Sequence, residues 1–191
     1  RPDSVSYTPS IYEDLKRRDF TVNSLALDLE GGELIDPHEG RRDLGRKIIR
    51  AIGNPNERFS EDALRMLRAC RFAAELDFTI DEHTLDGIKK NCKEIRKVSA
   101  ERIRDELIKV LLSERPSRGI EIMEKTGLLL CILPELQACK GVKQKGFHRY
   151  DVYYHSLAAC DMSEPILEIR LAALLHDIGK PKSLDYDESG V

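Results

Sequence analysis

A chain of 191 residues with 41% hydrophobic content is long enough to bury a core, as one domain or two small ones. With 34% charged residues, 6% aromatics and no tryptophan it suits a helix-rich protein, and the formal net charge of −3 gives no global sign of nucleic-acid binding. The five cysteines (Cys70, Cys92, Cys131, Cys139, Cys160) form no C-x-x-C pair, which argues against a disulfide framework or a cysteine zinc site and for a reducing, cytoplasmic setting.

Nothing approaches the roughly 18 apolar residues of a membrane span, and the N-terminus is not a signal peptide, so no membrane partner is expected. Both ends read as cut: "RPDSVSYTPS" opens without methionine, and "KSLDYDESGV" stops straight after a motif. In "LKRRDFTVNSLA", Arg17, Arg18 and Asp19 stand ahead of a predicted strand that contains Asn23. Guanidinium forks suit phosphate oxygens and a carboxylate accepts from a ribose hydroxyl, although such a cluster alone is usually a solvated surface. Residues 20 to 37 read as a hairpin turning at Gly31-Gly32 and ended by Pro37. Asp36, Gly40, Leu44 and Arg50 then punctuate a turn–helix–strand passage, with "KIIRAIG" as its strand.

From Ser60 the periodicity is helical. Ser60 is the expected N-cap, Glu61 and Asp62 lie in the first turn, and Ala63, Leu64, Met66, Leu67, Cys70, Ala73 and Ala74 share an apolar face. Asp62 and Arg65, three apart, put an acceptor beside a donor. That edge matches adenine and cytosine, which offer an amino group beside a ring nitrogen, and opposes guanine and uracil, which offer a carbonyl beside a ring N–H. The competing explanation is a minor i,i+3 salt bridge. Further helices are expected over 81–90, from Ser99 through "AERIRDELIKVLLS", from Pro116 to Gly127, and, after the linker "CKGVKQKG", over 151–161 and 168–176. Between Lys89 and Arg118, ten basic residues face five acidic ones, an excess that suits phosphates or a solvated face. Finally, His176-Asp177 ends an apolar helix, and with His155 one helix upstream it offers ligands for one metal. Asp185 and Asp187 are too close in sequence to serve as a second aspartate ligand.

In this order the segments resemble the bacterial tRNA nucleotidyltransferase and poly(A) polymerase family, that of the class II CCA-adding enzymes. "RRDFTVNSLALD", "DPHEGRRDLGRKIIRAIG", "RFSEDALRMLRACRFAAEL" and "SAERIRDELIKVLLS" are each similar to a motif of that family, and "HDIGK" with His155 resembles the start of an HD-type phosphohydrolase domain. The resemblance implies an α+β, mostly helical fold: the C-terminal part of a nucleotidyltransferase head over 1–58, a helical neck and body over 59–147, and a truncated HD domain over 148–191. It implies nucleotide binding by Arg17, Arg18, Asp19, Asn23, Glu61, Asp62, Arg65 and Arg68, with Glu61 orienting Arg65. Asp36, Gly40 and Arg50 would couple head and neck, and His155, His176 and Asp177 would hold a divalent metal. The implied reaction adds CCA to tRNA 3′ ends from CTP and ATP with Mg²⁺; poly(A) polymerase and enzymes adding only CC or only A share these motifs. The family's early-strand D-x-D carboxylates are missing, so no catalytic residue is expected here, they are expected ahead of Arg1, and the chain alone is expected to be inactive. An HD-type metal phosphohydrolase with a nucleotide-sensing front and a non-catalytic RNA-binding protein are the rivals, and a homodimer is left open.

Overall fold

Four short strands and a succession of short helices build the structure, a computed structural model that describes residues 10–143 and 150–183. It is α+β with helices dominant, as the sequence leads one to expect. The first helix, α1 (Ile11–Lys16), buries Leu15 and closes at Arg17, so Arg17-Arg18-Asp19 leave a helix rather than enter a strand. Phe20 makes one antiparallel bridge to Ala51, and Thr21–Asn23 turn as a 3-10 helix. Asn23 therefore sits on a turn and not within a strand. Side-chain bonds hold that turn: Thr21 Oγ1 donates to Asp43 Oδ2 (2.8 Å) and the buried Ser24 hydroxyl donates to the Leu15 carbonyl (2.9 Å).

The expected hairpin is present but shorter. Strands β1 (Ala26–Leu27) and β2 (Leu34–Ile35) pair antiparallel, Ala26 opposite Ile35, on the surface. Helix α2 (Gly40–Arg46) follows, packed so closely on the Thr21 turn that a β-carbon at Gly40 would lie 2.2 Å from the Thr21 carbonyl oxygen. "KIIRAIG" supplies strand β3 (Ile48–Ile49), whose partner is the distant parallel strand β4 (Thr79–Ile80).

The helix expected from Ser60 is two helices. Asn54 caps α3 (Pro55–Glu61), its side chain accepting from Asn56 N–H (3.0 Å), and the pyrrolidine of Pro55 suits the first turn. Ser60 lies inside α3 and donates to the Asn56 carbonyl (2.8 Å), so it caps nothing. The chain is extended at Asp62 (φ −150°, ψ 103°) before α4 (Leu64–Glu75) begins. Helix α5 (Glu82–Asn91) is capped by Asp81, and a 3-10 turn over Cys92–Lys97 leads to α6 (Ala100–Leu111), where Ser99 makes no side-chain cap bond. Helices α7 (Pro116–Thr126), α8 (Leu128–Ile132) and α9 (Pro134–Ala138) follow, the first stopped by Gly127 at φ +82°. Past the linker, part of which lies outside the described residues, come α10 (Val152–Met162), α11 (Leu167–Leu175) and α12 (Lys180–Ser183). Both terminal stretches, with Asp185 and Asp187, also lie outside.

Helix α4 is central because its apolar face is complete: Met66, Leu67, Ala69, Cys70 and Ala73 are fully buried, against α6 and α7. Each such Leu or Met contributes about 1.5–3 kcal/mol of burial. The other face of α4 carries Arg65 and Arg68 toward the Asp19 turn. Among the described residues no helix is long and apolar enough to cross a membrane.

Candidate nucleotide-binding cleft

An open cleft of about 510 Å³ is lined by Arg18, Asp19, Asn23, Asp62, Leu64, Arg65, Arg68, Phe72 and Arg102. The 3-10 turn, the break before α4, α4 itself and the first turn of α6 each contribute. Six of the eight residues expected to bind a nucleotide line it. Arg17 and Glu61 stand behind the wall: the Arg17 carbonyl accepts from Arg65 Nη2 (3.4 Å), and Glu61 Oε2 accepts from Arg65 Nη1 (2.6 Å) and Arg58 Nη1 (3.0 Å). Arg65 Nη1 also donates to the Arg58 carbonyl (3.1 Å). The Arg65 guanidinium is thus fixed from one side. Burial works to raise the Glu61 carboxyl, but the Arg65 hydrogen bond and the charges of Arg58 and Arg65 hold it below its ordinary value.

Asp62 and Arg65 do not pair with each other through their side chains. Asp62 Oδ1 accepts from Leu64 N–H (3.1 Å), and Oδ2 from Arg102 Nη2 (2.8 Å). The break at Asp62 produces this: an extended residue between two helices turns its carboxylate onto the amides that open α4. An acceptor and a separately anchored donor therefore stand side by side on the cleft wall, and the minor salt-bridge explanation does not hold for this pair. Asp19 is buried and engaged at both oxygens, Oδ1 accepting from Phe20 N–H (2.9 Å) and Asn23 Nδ2 (3.0 Å) and Oδ2 from Arg68 Nε (2.7 Å). Four guanidinium groups face two carboxylates that are already engaged, an arrangement that favours an anion such as a polyphosphate.

Asp36, Gly40 and Arg50 gather around α2. Asp36 accepts from the amides of Gly40 (2.7 Å) and Arg41 (3.0 Å). Arg50 Nε donates to Asp43 Oδ2 (3.0 Å) and its Nη1 to Asp81 Oδ1 (2.7 Å), which ties α2 to the residue that caps α5. The Asp43 hydrogen bond, with the Asp81 charge and against burial, raises the guanidinium still further above its ordinary range.

The third cluster is His155, His176 and Asp177, whose ligand atoms lie within 4.8 Å of one another. His176 Nε2 is 3.2 Å from His155 Nε2 and 3.2 Å from Asp177 Oδ2. The Ala173 carbonyl, 2.8 Å from His176 Nδ1, can only accept, so Nδ1 is the donor and the ring is held with Nε2 turned toward His155 and Asp177. Two imidazole nitrogens and a carboxylate fit a divalent transition ion. Lys180 Nζ also reaches Asp177 Oδ2 (2.7 Å). Among the described residues, the only carboxylates lining the cleft are Asp19 and Asp62, and each accepts from a guanidinium.

Sequence reasoning missed Leu64, Phe72 and Arg102 in the cleft, and Asp43 and Asp81 at Arg50. Arg102 carried a signal: it occupies the position in "SAERIRDE" where a capping glutamate fits better.

Comparisons with known proteins bear on the family and the fold. Residues 1–50 match the family described as the poly A polymerase head domain, and residues 77–140 match the one described as the probable RNA and SrmB-binding site of polymerase A. An A-adding tRNA nucleotidyltransferase of Deinococcus radiodurans is 39% identical over 195 residues, covering 97% of this chain and 44% of that protein. A CCA-adding enzyme of Limosilactobacillus reuteri is 56% identical over 128 residues, covering 67% of this chain and 32% of that protein. The chain therefore spans less than half the length of these curated relatives. Among solved structures, the Bacillus stearothermophilus CCA-adding enzyme in complex with CTP superposes with a TM-score of 0.65 at 31% identity, over 96% of this chain and 52% of that one. A tRNA nucleotidyltransferase complexed with a primer tRNA and an incoming ATP analog gives a TM-score of 0.66 at 27% identity, over 97% of this chain and 58% of that one. Sequence identity, fold and the order of the motifs agree, and the chain belongs to the class II nucleotidyltransferase family of the bacterial CCA-adding enzymes.

Proposed function

We propose that the chain is part of a template-independent RNA nucleotidyltransferase that adds CCA to tRNA 3′ ends from CTP and ATP. The observation that carries this reading is the wall of the cleft, where the Asp62 acceptor and the Arg65 donor stand side by side, each held by other groups. An incoming adenine or cytosine gives its amino hydrogen to Asp62 and accepts from Arg65 at the ring nitrogen. Guanine or uracil leaves both protein groups mispaired, a mismatch worth several powers of ten in a dehydrated site. Arg18 and Arg68 meet the triphosphate, and Asp19 with Asn23 the ribose side, while Arg17 supports Arg65 from behind the wall. Asp36, Gly40 and Arg50 pass movement between head and neck as the pocket changes from C to A.

The reaction is in-line attack of an RNA 3′-hydroxyl on the α-phosphate, which in this family takes place with Mg²⁺. Since the family's early-strand D-x-D carboxylates are not among these 191 residues, we infer that these residues alone bind nucleotide without transferring it. His155, His176 and Asp177 form an HD-type site in this reading; a divalent ion bound there supplies a Lewis acid for phosphoester hydrolysis. His176→Ala should then leave nucleotide addition intact and remove metal-dependent phosphatase activity, whereas equal loss of both would make the cluster structural.

A second reading is favoured by one observation: the A-adding relative matches across 97% of the chain, the L. reuteri CCA-adding relative across 67%. One experiment separates the readings. The full-length protein is given either tRNA ending before its CCA or tRNA ending in CC, with Mg²⁺ and labelled CTP and ATP, separately and together. Two C residues and one A, then arrest, are expected. A single A added only to tRNA already ending in CC identifies an A-adding enzyme, repeated A a poly(A) polymerase, and no addition at all the phosphohydrolase.

A further inference from the structure

We infer that Arg102 is a positioning residue for base selection: it sets the Asp62 carboxylate, and this rests on the reading of the Asp62–Arg65 edge given above. The donor half of that edge is held by three acceptors, on Glu61, Arg58 and Arg17. The acceptor half sits on the extended residue that ends α3: its backbone N–H still donates to the Arg58 carbonyl (3.3 Å), but that bond does not set the rotation of the carboxylate. One oxygen of Asp62 is held by the Leu64 amide, and a carboxylate held at one oxygen still pivots about its Cβ–Cγ bond. Arg102 supplies the second point of attachment, at Oδ2. An ionised carboxylate oxygen accepts more than one hydrogen bond, so Oδ2 keeps a lone pair for the base amino group while Arg102 stays bound.

The guanidinium is delivered from a fixed place. One turn further along α6, the buried Glu106 accepts from Arg71 Nε of α4 (2.6 Å), which locks α6 against the helix that carries Arg65. Arg102 and Asp62 also line a neighbouring cavity of about 370 Å³ with Glu94, Lys97 and Ser99, so the pair forms the partition between the two spaces. Arg102 can thus hold Asp62 without filling the cleft. Its side chain is 51% exposed, so truncation spares the core.

The test measures single-nucleotide addition by the full-length protein on primer tRNA with each of the four nucleoside triphosphates. Arg102→Ala should reduce the preference in kcat/KM for CTP and ATP over UTP and GTP by about tenfold, the effect of one charge-assisted hydrogen bond, mainly through KM of the correct nucleotides. Arg102→Lys, which keeps a single donor, should recover most of the preference. In an Asp62→Ala background, Arg102→Ala should leave the preference unchanged. An equal slowing with all four nucleotides, or the same loss in the Asp62→Ala background, overturns the inference. If Asp62→Ala by itself leaves the preference intact, the base-edge reading falls first and the inference with it. Thermal melts confirm folding, and Arg102→Gln replaces the alanine variant if that one does not fold.

Discussion

Glu61 does its work from behind the cleft wall, and its protonation state reports on that work. Its carboxyl is held below the ordinary value of 4.5 because the Arg65 and Arg58 guanidinium groups outweigh the cost of its burial. A folded-state pKa below the unfolded one gives a contribution that is complete above the unfolded pKa and is lost as pH falls through the folded pKa. Half of the side chain is exposed, so solvent screens the pair and the contribution to global stability is small. The local effect is different, since protonation removes the shortest of the three contacts that aim Arg65. Carbon-detected NMR of the Glu61 carboxyl should therefore show a midpoint below 4.5, which moves up toward that value in Arg65→Ala. An unmoved midpoint would mean that Arg65 spends its time away from Glu61.

Elements differ in how plainly the sequence announces them. Helix α4 is legible because Met66, Leu67, Cys70 and Ala73 repeat at helical spacing and all face the core. The break that precedes it is not. Ser60-Glu61-Asp62 suits the start of one helix as well as the last turn of another, and what selects the kink is distant in sequence: Arg102 on α6 and the Arg17 carbonyl. Strand β3 was legible as an apolar run, but its two-residue partner β4 is defined only by the pairing itself. The cleft divides along the same line: Arg65 and Arg68 are set by local spacing, while Phe72 and Arg102 reach it through the packing of α4 and α6, of which the misplaced cap residue Arg102 is the one local trace. Helix α2 yields a prediction of its own, because its start is set by contact. The β-carbon of Gly40→Ala would meet backbone, the Thr21 carbonyl oxygen, which cannot rotate away as a side chain does. Overpacking of that kind costs about 1–3 kcal/mol. Urea unfolding of Gly40→Ala should show an unfolding free energy lower by that amount, seen as a lower midpoint at unchanged m, and amides of the Thr21 turn should lose protection, since the turn must move to admit the methyl group.

Across the molecule, one apolar cluster runs from Phe20 and Ile49 through Met66 and Met123 to Tyr153 and Leu174, and it crosses both boundaries expected from the sequence, near 58 and near 147. Helix α10 packs on α11 and on α7, which makes the HD-like residues part of the same packing as the cleft. Arg170 is the polar fastening of this joint. It is 3% exposed, and its Nη1 donates to the carbonyls of Leu111 and Ser113, both at 2.8 Å, where α6 ends. Those carbonyls have no further turn of helix to accept from, so Arg170 satisfies the end of the helix that also carries Arg102 and Glu106. Arg170→Ala removes these two charge-assisted bonds and a longer third, from Nε to the Glu164 carbonyl (3.3 Å), and leaves buried acceptors behind, a loss of about 3 kcal/mol. With a continuous core that loss belongs to the whole fold: far-UV circular dichroism and tyrosine fluorescence should still report one coincident transition, moved to lower urea. Hydrogen exchange supplies the sharper criterion. Slow amides in α4 and in α10 should accelerate by the same factor, because both open only when the shared core opens. Acceleration confined to α10 and α11 would show instead that the HD-like segment unfolds as a unit of its own and that the joint at Arg170 is a contact between two bodies.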